Sequence, residues 1–123
     1  AKIGALATTS RSPLPIGNIA QTFASRAIRD ACAGVQVIEN DTWTADIITT
    51  CQKHNLKTVV TGYAPVGPVA MILADAEPAL QTEGINLIQI RRVFDTVAWP
   101  HATKGFFAMK KGIPVVLDTL GLA

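Results

Sequence analysis

The spacing of apolar and polar positions divides the chain into alternating short runs and longer periodic stretches. Ile3 to Thr8 is a brief apolar run that predicts a first strand. Thr9 to Gly17, interrupted by Pro13, Pro15 and Gly17, predicts a linker or long loop. Asn18 followed by Gln21 has the form of a capping box, and Ile19, Phe23, Ala27, Ile28 and Ala31 then recur at helical spacing up to Gly34, a stop. Val35 to Glu39 predicts a short strand. Asn40-Asp41 ends it and is placed to cap a helix with Trp43, Ile47, Ile48 and Cys51 on one face, closed by Asn55. Leu56 to Gly62 is β-branched and apolar at its centre, the pattern of a parallel strand covered on both faces. Val69, Ile72, Leu73, Ala76 and Leu80 form the next helical face, with Pro78 implying a kink or two helices meeting at Glu77, and Gly84 a stop. Ile85 to Arg91 is the following strand.

This order of strands and helices predicts an α/β fold: a small doubly wound, mostly parallel, Rossmann-like sheet of three to four strands with helices on both faces. Residues 1–18 are expected to be a linker or a partial first strand and loop, and residues 19–123 a single α/β domain. Val59, Val60, Ile72, Leu73, Leu87 and Ile90 are the expected central core, with Leu6 and Leu14 peripheral. After Arg92 the pattern becomes irregular. Phe94, Trp99, Phe106 and Phe107 are interleaved with Asp95, His101, Lys104, Lys110 and Lys111, and a closing helix is expected from Pro114 to Leu120, stopped by Gly121.

Composition narrows the class. With 123 residues and 49% hydrophobic side chains, the chain suits one compact core and excludes wholesale disorder. A formal net charge of +2 is too small to argue for a nucleic-acid or membrane surface. The charge is unevenly placed, however. Residues 1–90 hold six basic and seven acidic side chains, whereas 91–123 hold five basic and two acidic, so the last quarter is cationic. No apolar run reaches the roughly 18 residues needed to span a bilayer, and no charged segment precedes an apolar one at the amino end, so a cytoplasmic protein without membrane contact is expected. Cys32 and Cys51 form no metal signature and read as core thiols in a reducing compartment. The first residue is Ala rather than Met, which leaves open that these residues are one piece of something larger.

Two segments are candidates for chemistry. In an open α/β sheet, ligands gather beyond the carboxyl ends of the strands. Gly62, Tyr63, Pro65 and Gly67 lie where a strand passes into a helix. Their glycines permit close backbone approach and Tyr63 offers a stacking face, but the same residues also suit a rigid turn. The second segment carries Arg91, Arg92, Trp99, His101, Lys104 and Phe106. Cations among aromatics either stack on a ring and hold phosphate, or form a cap over the sheet edge with wet charges. Catalytic signals are poor: there is no nucleophile elbow and no dinucleotide or P-loop fingerprint, and Asp95 with His101 is the one imaginable acid–base pair.

The runs TGYAPVGPV at 61–69 and WPHATKGFF at 99–107, with Arg91-Arg92, Ile113-Pro114 and Leu120-Gly121-Leu122, make the chain resemble bacterial FAD-binding-domain proteins of the photolyase/cryptochrome group. The resemblance covers about half of the chain, and from Val35 to Gly112 the wider pattern is similar to the later part of the α/β antenna domain. Tyr63, Pro65, Gly67, Trp99, Pro100, His101, Lys104, Gly105 and Phe106 stand at positions of the family pattern. Ala108-Met109 departs from it, since Pro-Phe follows the paired aromatics there.

The resemblance implies an antenna-like α/β domain that packs on a helical FAD-binding domain, in cis or as a separate chain. That helical domain, and the FAD it holds, would lie outside this chain. An antenna chromophore on the α/β domain is possible under this view, and DNA would be reached through the helical partner. The parent would be a flavoprotein for light-dependent DNA repair or photoreception, a photolyase-type lyase with no catalytic residue on the present chain. The reading from a different class is a stand-alone small-molecule or nucleotide-binding α/β protein using the crevice at the strand carboxyl ends. An enzyme acting through Asp95, His101 and Lys104 has the least support.

Overall fold

The computed structural model describes residues 4–6 and 12–122. Its elements are β1 (Gly4–Leu6), α1 (Asn18–Ala31), β2 (Gln36–Ile38), α2 (Trp43–Lys53), β3 (Thr58–Gly62), α3 (Pro68–Thr82), β4 (Asn86–Ile90), α4 (Val93–Ala98), a 3-10 helix (Trp99–Ala102) and α5 (Phe106–Thr119). The chain is a mixed α/β protein. Among the described residues the strands form two pairs. β1 and β2 run parallel, with Gly4 opposite Gln36 and Leu6 opposite Ile38, and β3 pairs with β4. The Asn86 N–H donates to the Lys57 carbonyl at 2.9 Å and the Tyr63 N–H to the Ile90 carbonyl at 2.9 Å. Contacts that advance along both strands together make this pair parallel as well.

The helix stops read from the sequence are built in one way. At the end of α3, Ile85 N–H donates to the Leu80 carbonyl at 2.9 Å and Gly84 N–H to the Gln81 carbonyl at 2.9 Å, with Gly84 at φ +68°. This double bond pattern turns the chain sharply and brings the residue after the turn back onto the last helical turn. Asn55 after α2 and Gly121 after α5 do the same, through Leu56 N–H to the Cys51 carbonyl at 2.8 Å and Leu122 N–H to the Leu117 carbonyl at 2.9 Å.

The starts differ from expectation. Asn18 is already helical, with Gly17 before it and no side-chain cap, so the Asn18–Gln21 capping box does not form. Nor does the expected apolar face of α1 enter a core: Ile19 and Phe23 are exposed. A different part of the helix meets the residue after β2, where the Glu39 carboxylate accepts from the Ser25 hydroxyl and from Arg29, whose Nε lies 3.0 Å from Oε2. Asn40 does not cap α2. Its amide donates instead to the Asp46 carboxylate at 2.7 Å, in the first turn of that helix. Pro78 lies inside one continuous helix, where its missing N–H removes a single backbone bond.

Two compact units can be traced, residues 1–59 with 64–88 and residues 60–63 with 89–123. In the first, Trp43 of α2 packs with Ala64 and with Leu73 and Ala76 of α3, while Cys51 packs with Leu80 and Ile85. Ile47 and Leu87 touch both clusters and join them. In the second, α4, the 3-10 helix and α5 pack on one another around Ala98, Gly112 and Val116. α5 begins at Phe106 rather than Pro114, and Pro114 sits within it. The irregular segment expected after Arg92 is therefore largely helical.

The placement of the core also needs correction. Leu73 is buried, and Val59, Ile72 and Leu87 are half-buried, but Val60 and Ile90 are more than half exposed. Burial along β3 alternates, so one face is covered rather than both. Leu14 is exposed, as expected of a peripheral residue, whereas the Leu6 side chain lies outside the described residues.

Leu80 is 0% exposed, so Leu80→Ala should lower stability by about 2–5 kcal/mol, whereas Val60→Ala should lower it by less than about 1 kcal/mol. Equal shifts of the urea midpoint in the two variants would contradict this placement of the core. The Glu39 carboxyl is held below its ordinary value of 4.5, first by the Ser25 hydroxyl and then by the Arg29 guanidinium. Because the folded pKa is depressed, the stabilisation is complete above the unfolded value and is lost as pH falls through the lower folded one. Glu39→Gln should flatten that part of the stability–pH curve, measured by thermal melts in acid buffers.

Candidate functional site

Because β3 and β4 run the same way, their carboxyl ends lie at one edge. Tyr63 directly follows β3 and Arg91 directly follows β4, and the Tyr63 N–H bond to the Ile90 carbonyl holds the two ends together. The Arg91 guanidinium carbon sits 5.4 Å from the centre of the Tyr63 ring and 5.5 Å from that of Trp99. Those rings are 5.8 Å apart and tilted by 57°. Arg91 Nε donates to the Thr96 hydroxyl at 3.1 Å, and that hydroxyl donates in turn to the Arg92 carbonyl at 3.2 Å. The side chain is thus fixed by two ring faces and one hydrogen bond, while Tyr63 and Trp99 remain 41% and 37% exposed.

The neighbouring candidates have other duties. Arg92 forms a two-pronged pair with Asp95, Nε to Oδ2 at 2.8 Å and Nη2 to Oδ1 at 2.9 Å. Hydrogen bonding to Arg92 holds the Asp95 carboxyl below its usual range and raises the Arg92 guanidinium. Arg92 is therefore not a free cation, and Asp95 is bonded to Arg92 rather than to His101. The His101 ring lies against Gly112 of α5 so closely that a Cβ on Gly112 would come within 2.9 Å of Cγ and Nδ1. Its position is one of packing.

Lys104 is exposed in the turn before α5. Phe106 is 69% exposed and meets the 78% exposed Phe107 edge to face at 5.5 Å. Of the two readings of this segment, the cap does not hold for Phe106: Gly112 and Val116 are the buried residues of α5, and the aromatics of its first turn are exposed. Gly62 ends β3. In the first unit, Pro65 is exposed and Gly67 precedes α3, its carbonyl accepting the Met71 N–H at 3.1 Å.

The structure thus brings together Tyr63, Arg91 and Trp99, and adds Thr96, which the sequence reading did not single out. Thr96 would have been visible only had Val93–Ala98 been recognised as a helix, because that winding returns residue 96 to the level of Arg91. A chromophore ring sandwiched between Tyr63 and Trp99 would need about 7 Å between the flanking faces, with carbon contacts of roughly 3.5 Å on each side. The observed pair is closer and tilted, with Arg91 on its faces, so these residues do not fit an enclosed flavin-like ring. A concavity of about 320 Å³ in the first unit is lined by Trp43, Thr44, Ile72, Asp75, Ala76 and Ala79. Trp43 is nearly covered there and Asp75 is the charged group, which suits neither ring stacking nor an anion.

Among the described residues, no group of three or more His, Cys, Asp or Glu side chains is placed to hold a metal ion, and no helix is long and apolar enough to cross a membrane. Comparisons with protein-family models, with curated proteins and with solved structures find no match.

Gly112→Ala should destabilise the protein despite a helix-propensity gain of about 1 kcal/mol, because overpacking against His101 costs about 1–3 kcal/mol. The double variant Gly112→Ala/His101→Ala should recover part of the loss. Thermal melts of the two single variants and the double would show it, and simple additivity would count against the contact.

Proposed function

We propose that the chain is a non-catalytic, antenna-like α/β domain of a photolyase/cryptochrome-related flavoprotein acting in light-dependent DNA repair or photoreception. In this reading it packs on an FAD-binding helical domain, in cis or as a separate chain, in the cytoplasm. DNA is met by the partner, and the two strand pairs belong to a doubly wound, Rossmann-like arrangement. The sequence motifs at 61–69 and 99–107 motivate the reading. The observation that carries it is the surface of residues 89–123, where Ile90, Val93, Phe94, Phe106, Phe107 and Val115 are exposed while Ala98, Gly112 and Val116 are buried. Phe106 and Phe107, both largely exposed and in edge-to-face contact on this cationic segment, form an apolar pair suited to being covered by a partner. Covering one phenylalanine contributes about 1.5–3 kcal/mol, so the Phe106–Phe107 pair alone could anchor a domain contact.

Tyr63, Arg91 and Trp99 support the same reading in a second way, since Tyr, Trp and Arg dominate interface energetics when half-exposed and preorganised. Their place at the carboxyl ends of two parallel strands equally favours the stand-alone small-molecule or nucleotide-binding protein.

Size-exclusion chromatography of the chain with the FAD-binding helical domain of the same source separates the two. Co-elution is expected for the native chain and its loss for Phe106→Asp/Phe107→Asp, with the melting temperature of the isolated variant within a few degrees of the native one. A source protein without flavin absorption, or no co-elution of the native chain, would defeat the flavoprotein reading.

A further inference from the structure

We propose that the carboxyl ends of β3 and β4 form a receptor for the phosphoryl group of a small-molecule ligand, with Arg91 as principal donor and the Tyr63 hydroxyl and Trp99 indole N–H beside it.

Arg91 is unusually well prepared for this. An exposed arginine ordinarily samples many rotamers, and that freedom opposes binding. Here the guanidinium lies over two rings at 5.4 and 5.5 Å, and its Nε is tied to the Thr96 hydroxyl at 3.1 Å. Restraint at Nε leaves the two terminal nitrogens as the donating edge. That edge matches an oxyanion bearing two or more oxygens.

The surroundings contain donors in excess. Among the described residues, the terminal nitrogens of Arg91, the Tyr63 hydroxyl and the Trp99 indole N–H have no hydrogen-bonded acceptor. The carboxylate closest in sequence, Asp95, is bonded by both prongs of Arg92 and also attracts the Arg91 charge, so an incoming anion competes with it for Arg91. These donors are open to solvent and can exchange bound water for an anion, beside a segment with five basic and two acidic residues. A phosphoryl group carries up to two negative charges over three terminal oxygens, against one charge over two in a carboxylate, so a fixed cation with further donors beside it holds the phosphoryl group more strongly. The position, just beyond adjacent parallel strands, is where α/β sheets hold such groups.

The inference stands on this geometry whether the chain serves a flavoprotein or acts alone. Inorganic phosphate titrated into the intact chain at constant ionic strength, followed by proton–nitrogen NMR, tests it. The Trp99 indole and Arg91 Nε signals should shift saturably while that of the buried Trp43 indole stays in place. Arg91→Lys, which keeps the charge and loses the fork, should weaken binding tenfold or more, and Arg91→Gln should abolish it with the Trp43 signal retained. If Arg91→Gln fails to fold, Thr96→Val decides, since releasing Nε should weaken phosphate binding several-fold. Acetate should bind at least tenfold more weakly than phosphate. Equal shifts with acetate or chloride, phosphate binding unchanged in Arg91→Gln or Thr96→Val, or no saturable shift at all would each overturn the proposal. Neither result bears on co-elution with a helical domain, so the two ideas fail separately.

Discussion

The hydrogen bond from Ile85 N–H to the Leu80 carbonyl, 2.9 Å long, is the joint on which the first unit depends. It closes α3 and reverses the chain so that Ile85, 2% exposed, returns onto Leu80, 0% exposed. A helix that ran one turn further would carry Ile85 away from that contact and shift the start of β4. Because side chains along a strand alternate in direction, a shift of one residue would also take Leu87 off the clusters around Trp43 and Cys51 that it joins. Gly84 makes the reversal possible, as the left-handed backbone there at φ +68° is strained for residues with a Cβ. In the second unit, Arg91 is placed beside Tyr63 by the Tyr63 N–H bond to the Ile90 carbonyl.

The second unit is built on a different balance. Its small buried residues, Ala98, Gly112 and Val116, allow α4, the 3-10 helix and α5 to approach closely, and Gly112 accepts the His101 ring where a side chain would not fit. Close approach of small residues buries little apolar area, and the large side chains of this segment stay outside. Two kinds of surface result. One is apolar, at Phe106 and Phe107. The other, at Tyr63, Arg91 and Trp99, is polar and preorganised, with ring stacking and the Thr96 hydroxyl holding a cation in place.

Much of the architecture was legible in the residues. Helix stops were the clearest, because Asn55, Gly84 and Gly121 act through their own backbone conformations, a local property. The apolar face of α2 was equally readable, since Trp43, Ile47, Ile48 and Cys51 share one side of any helix and had no competing use. Of the site, Tyr63, Arg91 and Trp99 were recognisable as candidates by residue type and by their place after strands. Their mutual contact was not, and neither was Thr96.

The sequence by itself determined the order of elements, where most of them end, and the cationic, aromatic character of the last quarter, all of which follow from residues acting on their near neighbours. Tertiary structure alone decided which apolar faces are covered. Ile19 and Phe23 have the spacing of a core face, yet they are exposed and no residue of α1 is buried, its tertiary hydrogen bonds running from Ser25 and Arg29 to Glu39. Val60 and Ile90 have the composition of central strand residues, yet only one face of β3 is covered. Pro114 would start a helix on local grounds, but α5 begins at Phe106 because packing around Gly112 and Val116 repays the lost backbone bond. In each case the deciding partner lies far away along the chain, and periodicity shows that a face is apolar without showing what will cover it.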